Sequence, residues 1–517
     1  MKHYFLLFCV MLAVAGHAQN SSGSNRAINE KFILTPKPSA KPRLNNALVY
    51  GCRPGNAFLY RIPCQGERPL RFSAKGLPAG LTLDEDSGII RGAAPARGTY
   101  RIVLKAKNKK GKASRTFEII SGDKIGLTPP MGWNDWYAHY DRISDKLMRE
   151  AADLIVSTGM ADVGYAYVNI DDCWAVSTPN NKAMKKDDGT RYGTPRKPDG
   201  TILPNVHFPD MKRMTDYIHS KGLKAGIYSS PGPRTCMGFT GSYGHEKQDA
   251  EQYAKWGFDF LKYDWCSYGS VVGKDRSLAA FQKPYKQMGD ILKNIDRDIF
   301  YNLCQYGYGE SWKWAASIGG NSWRTAGDLG IKELDKIFDI ALRNASFREY
   351  NKPGEWNDPD YISIGYIGSN QDRGAPKPTP MGPWLQYSYM SLWSLMAAPL
   401  FYGGDLSRLD DFTLGILCNP EIIAINQDPL GQCARVIMHG DKQFIMVKDL
   451  YDGSKAVGLF NREKRPVEVR ATWEEIGLRG KRKIRDAWRQ RDLGTFTNEL
   501  RSTIPAQGCL VVKISKR

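Results

Sequence analysis

The stretch Phe258-Asp259-Phe260-Leu261-Lys262-Tyr263-Asp264 is a short, mostly apolar run that ends in an acid. A run of this length suits a strand buried on both faces of a parallel sheet. The pattern recurs along the chain: residues 131–133, 165–170, 224–228, 299–303, 322–324, 355–356 and 399–402 make, together with 258–263, eight candidate strands. Amphipathic helical patterns lie between them. After Ser144, a suitable N-cap, Leu147, Met148, Ala151, Leu154 and Ile155 fall on one helix face. Alternating strand and helix units of this kind build α/β folds around a parallel sheet.

The polar residues decide between a closed and an open sheet. Nearly every apolar run ends in a group capable of chemistry: Asp171 and Asp172, Asp264, Gln305, Asp328, Asp358 and Asp360, and Asp405. In a (β/α)8 barrel the C-terminal strand ends form the face on which active sites are assembled. A doubly wound open sheet is the alternative, but eight units and no Gly-rich phosphate loop favour the barrel. The expected fold class is α/β, a (β/α)8 TIM barrel over residues 122–431.

Both flanks of this region read as β structure. Residues 46–121 alternate in the manner of strands, with Tyr100, Ile102, Leu104 and Ala106 on one face and Arg101, Lys105 and Lys107 between them. An Ig-like β-sandwich is expected there. Residues 432–517 alternate again, with Val467, Val469 and Ala471 against Glu468 and Arg470, then Leu510, Val512 and Ile514, which predicts a C-terminal antiparallel β-sandwich. Residues 1–18 carry Lys2, an apolar run and Gly16-His17-Ala18, the order of a secretory signal peptide, and residues 19–45 read as a linker rich in Ser, Asn, Pro and Lys. Export to the periplasm or beyond the cell is expected. No later run reaches the ~20 apolar residues of a membrane span, so stable membrane insertion is not expected.

Composition removes other classes. The net charge of +19 is spread along the chain without a basic arm, so nucleic acid is not an expected partner. Ten cysteines, one of them in the leader, leave an odd number in an oxidising compartment, so at least one is unpaired or joined to another chain. Cys52 and Cys64 share the first β module and are candidates for a bridge. CxxC is absent, and none of the seven His residues falls at a strand end, so neither a metal nor another cofactor is expected.

Two strand-end carboxylates suit cleavage of a glycosidic bond with retention. One attacks the anomeric carbon and the other protonates the leaving oxygen, about 5 Å apart across the sugar. Asp264 leaves its strand beside Lys262, whose charge would hold the carboxylate ionised and nucleophilic. Asp328, in Asn321-Ser322-Trp323-Arg324-Thr325-Ala326-Gly327-Asp328, lies near Arg324 and has to arrive protonated to serve as general acid. Any one of these acids alone reads as a helix cap or a surface ion partner. Their alignment on one face argues for a site.

Longer motifs sharpen this reading. Thr128-Pro129-Pro130-Met131-Gly132-Trp133-Asn134-Asp135-Trp136, Ile170-Asp171-Asp172-Cys173-Trp174, Lys262-Tyr263-Asp264, Trp323-Arg324-Thr325 with Asp328, and Trp356-Asn357-Asp358-Pro359-Asp360 occur in order, followed by Met396-Ala397-Ala398-Pro399-Leu400 and Ile425-Asn426-Gln427-Asp428-Pro429-Leu430. From about residue 126 to the C-terminus the chain resembles glycoside hydrolase family 27, whose members are retaining and metal-free. They include α-galactosidases, α-N-acetylgalactosaminidases and β-L-arabinopyranosidases. The stretch from Leu77 to Gly92 resembles the immunoglobulin-like modules common in bacterial exported proteins. The family resemblance implies Asp264 as nucleophile and Asp328 as general acid/base. It implies sugar contacts from Trp136, Asp171, Asp172, Tyr228, Cys236, Lys262, Gln305, Arg324 and Asp360, with Asp171 and Asp172 at O4 and O6, and a Cys236–Cys266 disulfide at the pocket rim. The substrate implied is an α-galactoside oligosaccharide or polysaccharide; the oligomeric state is open.

The chain also departs from the family. Cys304-Gln305-Tyr306 stands where α-galactosidases generally carry Cys-Glu-Trp, at the place that faces the 2-substituent; Gln keeps the hydrogen-bonding capacity without the charge. N-acetylgalactosaminidases open this place with small residues, whereas Gln305 and Tyr308 are bulky. Arabinopyranosidases carry Glu at the position of Asp172, so Asp favours a hexose. Tyr361 replaces a usual Met, and the segment 368–382 is longer and more Pro-rich than the family's loop, which leaves leaving-group preference open. A galactose-binding barrel that does not cut is the alternative from another class.

Overall fold

The computed structural model describes residues 29–178, 189–330, 336–368 and 375–516. The signal-peptide reading, the first part of the linker, and part of the segment 368–382 lie outside the described residues.

The eight expected strands all form. They are β1 (Met131–Asn134), β2 (Tyr167–Asn169), β3 (Lys224–Ser229), β4 (Phe260–Asp264), β5 (Phe300–Cys304), β6 (Ser322–Arg324), β7 (Trp356–Asp358) and β8 (Leu400–Tyr402). They make one parallel sheet in sequence order, and β8 returns to pair with β1, Met131 facing Leu400 and Trp133 facing Tyr402. The remaining seam, between the chain just past β7 and β8, closes through a parallel bridge from Ile362 to Tyr402. Ile362 N–H donates to Phe401 O at 2.7 Å and Gly403 N–H to Ile362 O at 2.9 Å. The result is a (β/α)8 barrel. Alternate residues of β4 explain its composition: Tyr263 faces the helices, with Tyr285 at 5.9 Å and Tyr301 at 6.2 Å between ring centres, while Lys262 and Asp264 share the other face. The helix Asp145–Ser157 starts where Ser144 Oγ accepts from Leu147 N–H at 3.2 Å. Met148, Ala151 and Ile155 are buried, with Leu147 and Leu154 packed at the margin.

The first acid of the quoted stretch, Asp259, has a structural role at the opposite end of the barrel. Asp259 Oδ1 lies 2.6 Å from Arg297 and Oδ2 2.8 Å from His219 Nε2. Burial alone would raise its carboxyl, but His219 and Arg297 outweigh burial and hold it well below the usual carboxylate range.

The N-terminal module is a sandwich of a four-stranded sheet (Val49–Cys52, Gly111–Ser121, Gly98–Asn108, Arg71–Lys75) and a three-stranded one (Ala57–Arg61, Ile89–Ala93, Leu81–Asp84). Phe58, Phe72, Ile90, Ile102, Leu104 and Phe117 lie in its own core. Cys52 and Cys64 remain free thiols, so the bridge considered from sequence is not formed; both are buried among apolar side chains that fill the module without a staple. The C-terminal sandwich pairs a six-stranded antiparallel sheet with Val467–Thr472 and Glu499–Ile504. Between it and the barrel runs the helix Pro383–Leu395, buried along nearly its whole length, with Ser391 Oγ accepting from the Trp488 indole at 2.9 Å. A helix enclosed on every side belongs between two layers, which is where this one lies, its buried Gln386, Ser388 and Ser391 each hydrogen-bonded.

The N-terminal module is latched to the N-terminal end of the barrel by Arg53. Its backbone N–H and Nε donate to Asp298 at 3.0 and 2.9 Å, and its guanidinium donates to Leu292 O, Lys293 O and Ile295 O, at the C-terminus of helix Leu278–Lys293, and to Arg297 O. Removing this side chain takes the guanidinium donor from the carbonyls of Leu292, Lys293, Ile295 and Arg297, while Asp298 keeps the Arg53 backbone N–H and Asn56 Nδ2. Arg53→Ala is expected to destabilise the docked module by about 2 kcal/mol, read as a lower urea midpoint in its first unfolding transition.

Candidate active site

Asp264 ends β4 at 5% exposure, and each of its oxygens is held by a phenol. Tyr228 OH, from β3, donates to Oδ2 at 3.0 Å, and Tyr306 OH, just past β5, donates to Oδ1 at 2.7 Å. Burial raises the Asp264 carboxyl to about 6, against the opposing pull of the Lys262 charge and the Tyr306 hydrogen bond.

Lys262, expected to attend Asp264 directly, instead bonds Asp171, with Nζ 2.7 Å from Oδ2. Its ammonium also lies over the rings of Tyr228 and Tyr361, at 5.2 and 5.1 Å. Burial by itself would lower the Lys262 pKa, yet the charge of Asp171 leaves it well above the ordinary value. The lysine is therefore a fixed cation that reaches Asp264 only through space. Asp171 also accepts from Asn134 Nδ2 at 2.9 Å and from the Asp172 N–H at 3.0 Å. Asp172 accepts backbone N–H bonds from Cys173 at 2.6 Å and Met237 at 2.8 Å, and burial pushes it up to about 7. Met237 reaches it because the neighbouring Cys236 is bonded to Cys266, Cα to Cα 4.8 Å, tying the loop after β3 to the end of β4.

Arg324, at 2% exposure, divides its two arms between two acids. Nη1 lies 3.2 Å from Asp328, whose side chain is 55% exposed, and Nη2 lies 3.2 Å from the fully buried Asp360. Asp360 is filled by protein donors: Tyr137 OH at 2.6 Å, Leu329 N–H at 2.7 Å and Tyr361 N–H at 2.9 Å. Its φ of +96° is a left-handed conformation that a non-glycine residue adopts under constraint. Asp360, counted from sequence among the sugar contacts, thus anchors Arg324.

The other expected residues divide between mouth and scaffold. Trp136 is half-buried beside Tyr140, ring centres 4.8 Å apart. Trp174 is core: it donates to Tyr228 O at 2.8 Å and packs against Tyr253 and Trp256. Asp358 accepts from Asn302 at 3.0 Å, and Asp405 caps its own turn through Ser407 N–H at 2.9 Å. Gln305 is fully buried, and neither atom of its amide has a partner among the described residues. Sequence reasoning missed Tyr306, Tyr137 and Asn134 as partners of the acids; Asn134 was visible only as part of a motif. Cys236 and Cys266 lie close to Asp264, but both sulfurs are committed to the disulfide and so are not free to hold a metal.

The family profile described as Alpha galactosidase A matches residues 128–428. This chain belongs to that family. The profile for the alpha galactosidase C-terminal beta sandwich domain matches residues 440–514, and an Ig domain profile matches residues 42–122. An alpha-galactosidase of Cyamopsis tetragonoloba is 34% identical over 80% of this chain and 93% of its own length. A crystal structure from Bacteroides fragilis, provisionally described as an alpha-galactosidase/melibiase, superposes with a TM-score of 0.84 at 36% identity, covering 93% of this chain and 100% of that one. Alpha-galactosidase I from Mortierella vinacea superposes with a TM-score of 0.65 at 29% identity over 77% of this chain and 99% of its own. As a member of the alpha galactosidase A family, the protein is a glycoside hydrolase. Among the described residues no helix is long and apolar enough to cross a membrane.

The Lys262–Asp171 pair is buried, so deleting its cation leaves an uncompensated carboxylate. Lys262→Met is expected to destabilise the barrel by about 3 kcal/mol, measured by urea unfolding at neutral pH.

Proposed function

We propose that the enzyme is a retaining exo-α-galactosidase that removes terminal, non-reducing α-D-galactosyl residues from oligosaccharides or polysaccharides. The observation that carries this reading is the placement of Asp264, enclosed and doubly held by phenols, in the same barrel mouth as the exposed Asp328, within a chain of the alpha galactosidase A family. An enclosed carboxylate suits a nucleophile that must meet one carbon in one direction. An acid open to solvent suits a group that first gives a proton and later takes one from water.

In the first step Asp264 attacks the anomeric carbon while Asp328 transfers its proton to the glycosidic oxygen, so the C–O bond to the leaving group breaks as a galactosyl ester forms. In the second, Asp328 takes a proton from water, which attacks the same carbon and releases Asp264. The configuration is inverted twice and so retained. Asp171, Asp172 and Lys262 are the groups for O4, O6 and O3, where an epimer of galactose would leave a buried charged group without its bond. Trp136 offers an apolar face to the sugar, Arg324 holds Asp328, and Gln305, whose amide is otherwise unbonded, answers to the 2-hydroxyl. The Cys236–Cys266 bond accords with export to an oxidising compartment.

Chromogenic α-galactoside, α-N-acetylgalactosaminide and β-L-arabinopyranoside test the assignment, with Asp264→Ala as control. Release from the first alone, reduced at least about 10³-fold in the variant, is expected. Preference for the arabinopyranoside would overturn the reading of Asp172, and no release from any would leave a sugar-binding barrel. The pH profile follows from the raised carboxyls. Asp264, at about 6, must be ionised to attack, so kcat/KM falls as the pH drops through about 6, with a shallower loss beginning near 7 where Asp172 takes up its proton.

A further inference from the structure

The turn after β5 places a second phenol on the nucleophile, and no motif read from the sequence assigned it a task. Tyr306 has φ +60° and Gly307 φ +84°, and the turn is closed by Tyr308 N–H donating to Gln305 O at 3.0 Å. A bulky residue adopts a left-handed backbone only where its surroundings impose it, and such residues gather at functional sites. Here the conformation aims the Tyr306 hydroxyl at Asp264 Oδ1, 2.7 Å away. The ring lies 6.0 Å from the Arg324 guanidinium, which in turn holds Asp328, and meets Tyr308 edge-on at 5.8 Å. One aromatic side chain therefore touches the proposed nucleophile and borders the cation that holds the proposed acid/base.

We propose that Tyr306 is a positioning residue for Asp264, fixing the plane of the nucleophilic carboxylate through Oδ1 while Tyr228 fixes it through Oδ2. The inference rests on the reading of Asp264 as nucleophile. With one phenol on each oxygen, rotation of the carboxylate about its Cβ–Cγ bond breaks a hydrogen bond in either direction, so a single orientation faces the sugar. The hydroxyl stays protonated across the working range, since burial and the neighbouring charge of Asp264 raise the Tyr306 pKa far above that of a free phenol. A donor held on a carboxylate favours its ionised form and opposes the upward push of burial on Asp264.

The test compares Tyr306→Phe and Tyr306→Leu with the wild-type enzyme on a chromogenic α-galactoside, each variant qualified by its circular dichroism and melting temperature. Tyr306→Phe is expected to lower kcat about tenfold or more with KM within about twofold, and to move the acid limb of kcat/KM upward by about one pH unit. Tyr306→Leu also removes the donor and is expected to show the same upward shift; it decides the matter should the Phe variant fail to fold. A wild-type acid limb in either folded variant overturns the proposal, as does a rise in KM alone, which would make Tyr306 only a wall of the pocket. Failure of the wild-type enzyme itself on the α-galactoside would overturn the function proposed above, whereas an active wild type, an inactive Asp264→Ala and an unchanged Tyr306→Phe would overturn this inference alone.

Discussion

The barrel mouth has to hold more buried acid than it has cations to neutralise. Asp171, Asp172, Asp264 and Asp360 are all nearly inaccessible, and among the described residues only Lys262 and Arg324 pair with them as cations. A carboxylate removed from water is stable only when partners replace its solvation. Each acid meets that demand differently. Asp171 takes the lysine, Asp360 takes one arm of the arginine and three protein donors, and Asp172 relies on backbone N–H groups. Asp264 is left with two phenols and a cation it does not touch, and burial raises its carboxyl to about 6.

That division of partners explains what could be read in the chain and what could not. The strands were legible because residues on both faces of a barrel strand are enclosed, so Phe260 to Asp264 is an almost unbroken buried run. The acids were legible because each follows such a run. Their partners were not. Lys262 is two residues from Asp264 and shares its face, but it bonds across the barrel to Asp171, since cross-strand neighbours in a closed sheet owe nothing to sequence distance. Asp360 looked like its neighbours until the left-handed backbone at that position turned its carboxylate toward Tyr137 and Leu329. Tyr306 was hidden for the same reason: nothing in the composition of Gln305-Tyr306-Gly307 announces a positive φ at the tyrosine. Trp174 belongs to a motif at a strand end, yet its ring packs outward among Tyr253 and Trp256.

The two β sandwiches solve a different problem, that of covering the barrel away from its mouth. The first joins it near the strand starts: Tyr50 OH accepts from Lys224 at the head of β3 at 2.6 Å, Arg53 grips Asp298 ahead of β5, and Arg68 pairs with Asp162 ahead of β2 at 2.6 Å. The second shares the helix Pro383–Leu395 with the barrel, and a buried lysine in its sheet, Lys448, donates to Ile425 O at 2.6 Å. The first set of contacts lies away from the acids, whereas the shared helix reaches them, its Trp393 indole donating to Asp360 O at 2.7 Å.

The pairing of Met131 with Leu400 also sets a timetable for the chain. A ribosome releases the first sandwich early, and its self-contained core can settle while the rest is still being made. The barrel cannot close until β8 has emerged to meet both β1 and the bridge at Ile362. Until then β1 presents an open edge, the kind of surface on which unfinished chains stick to one another.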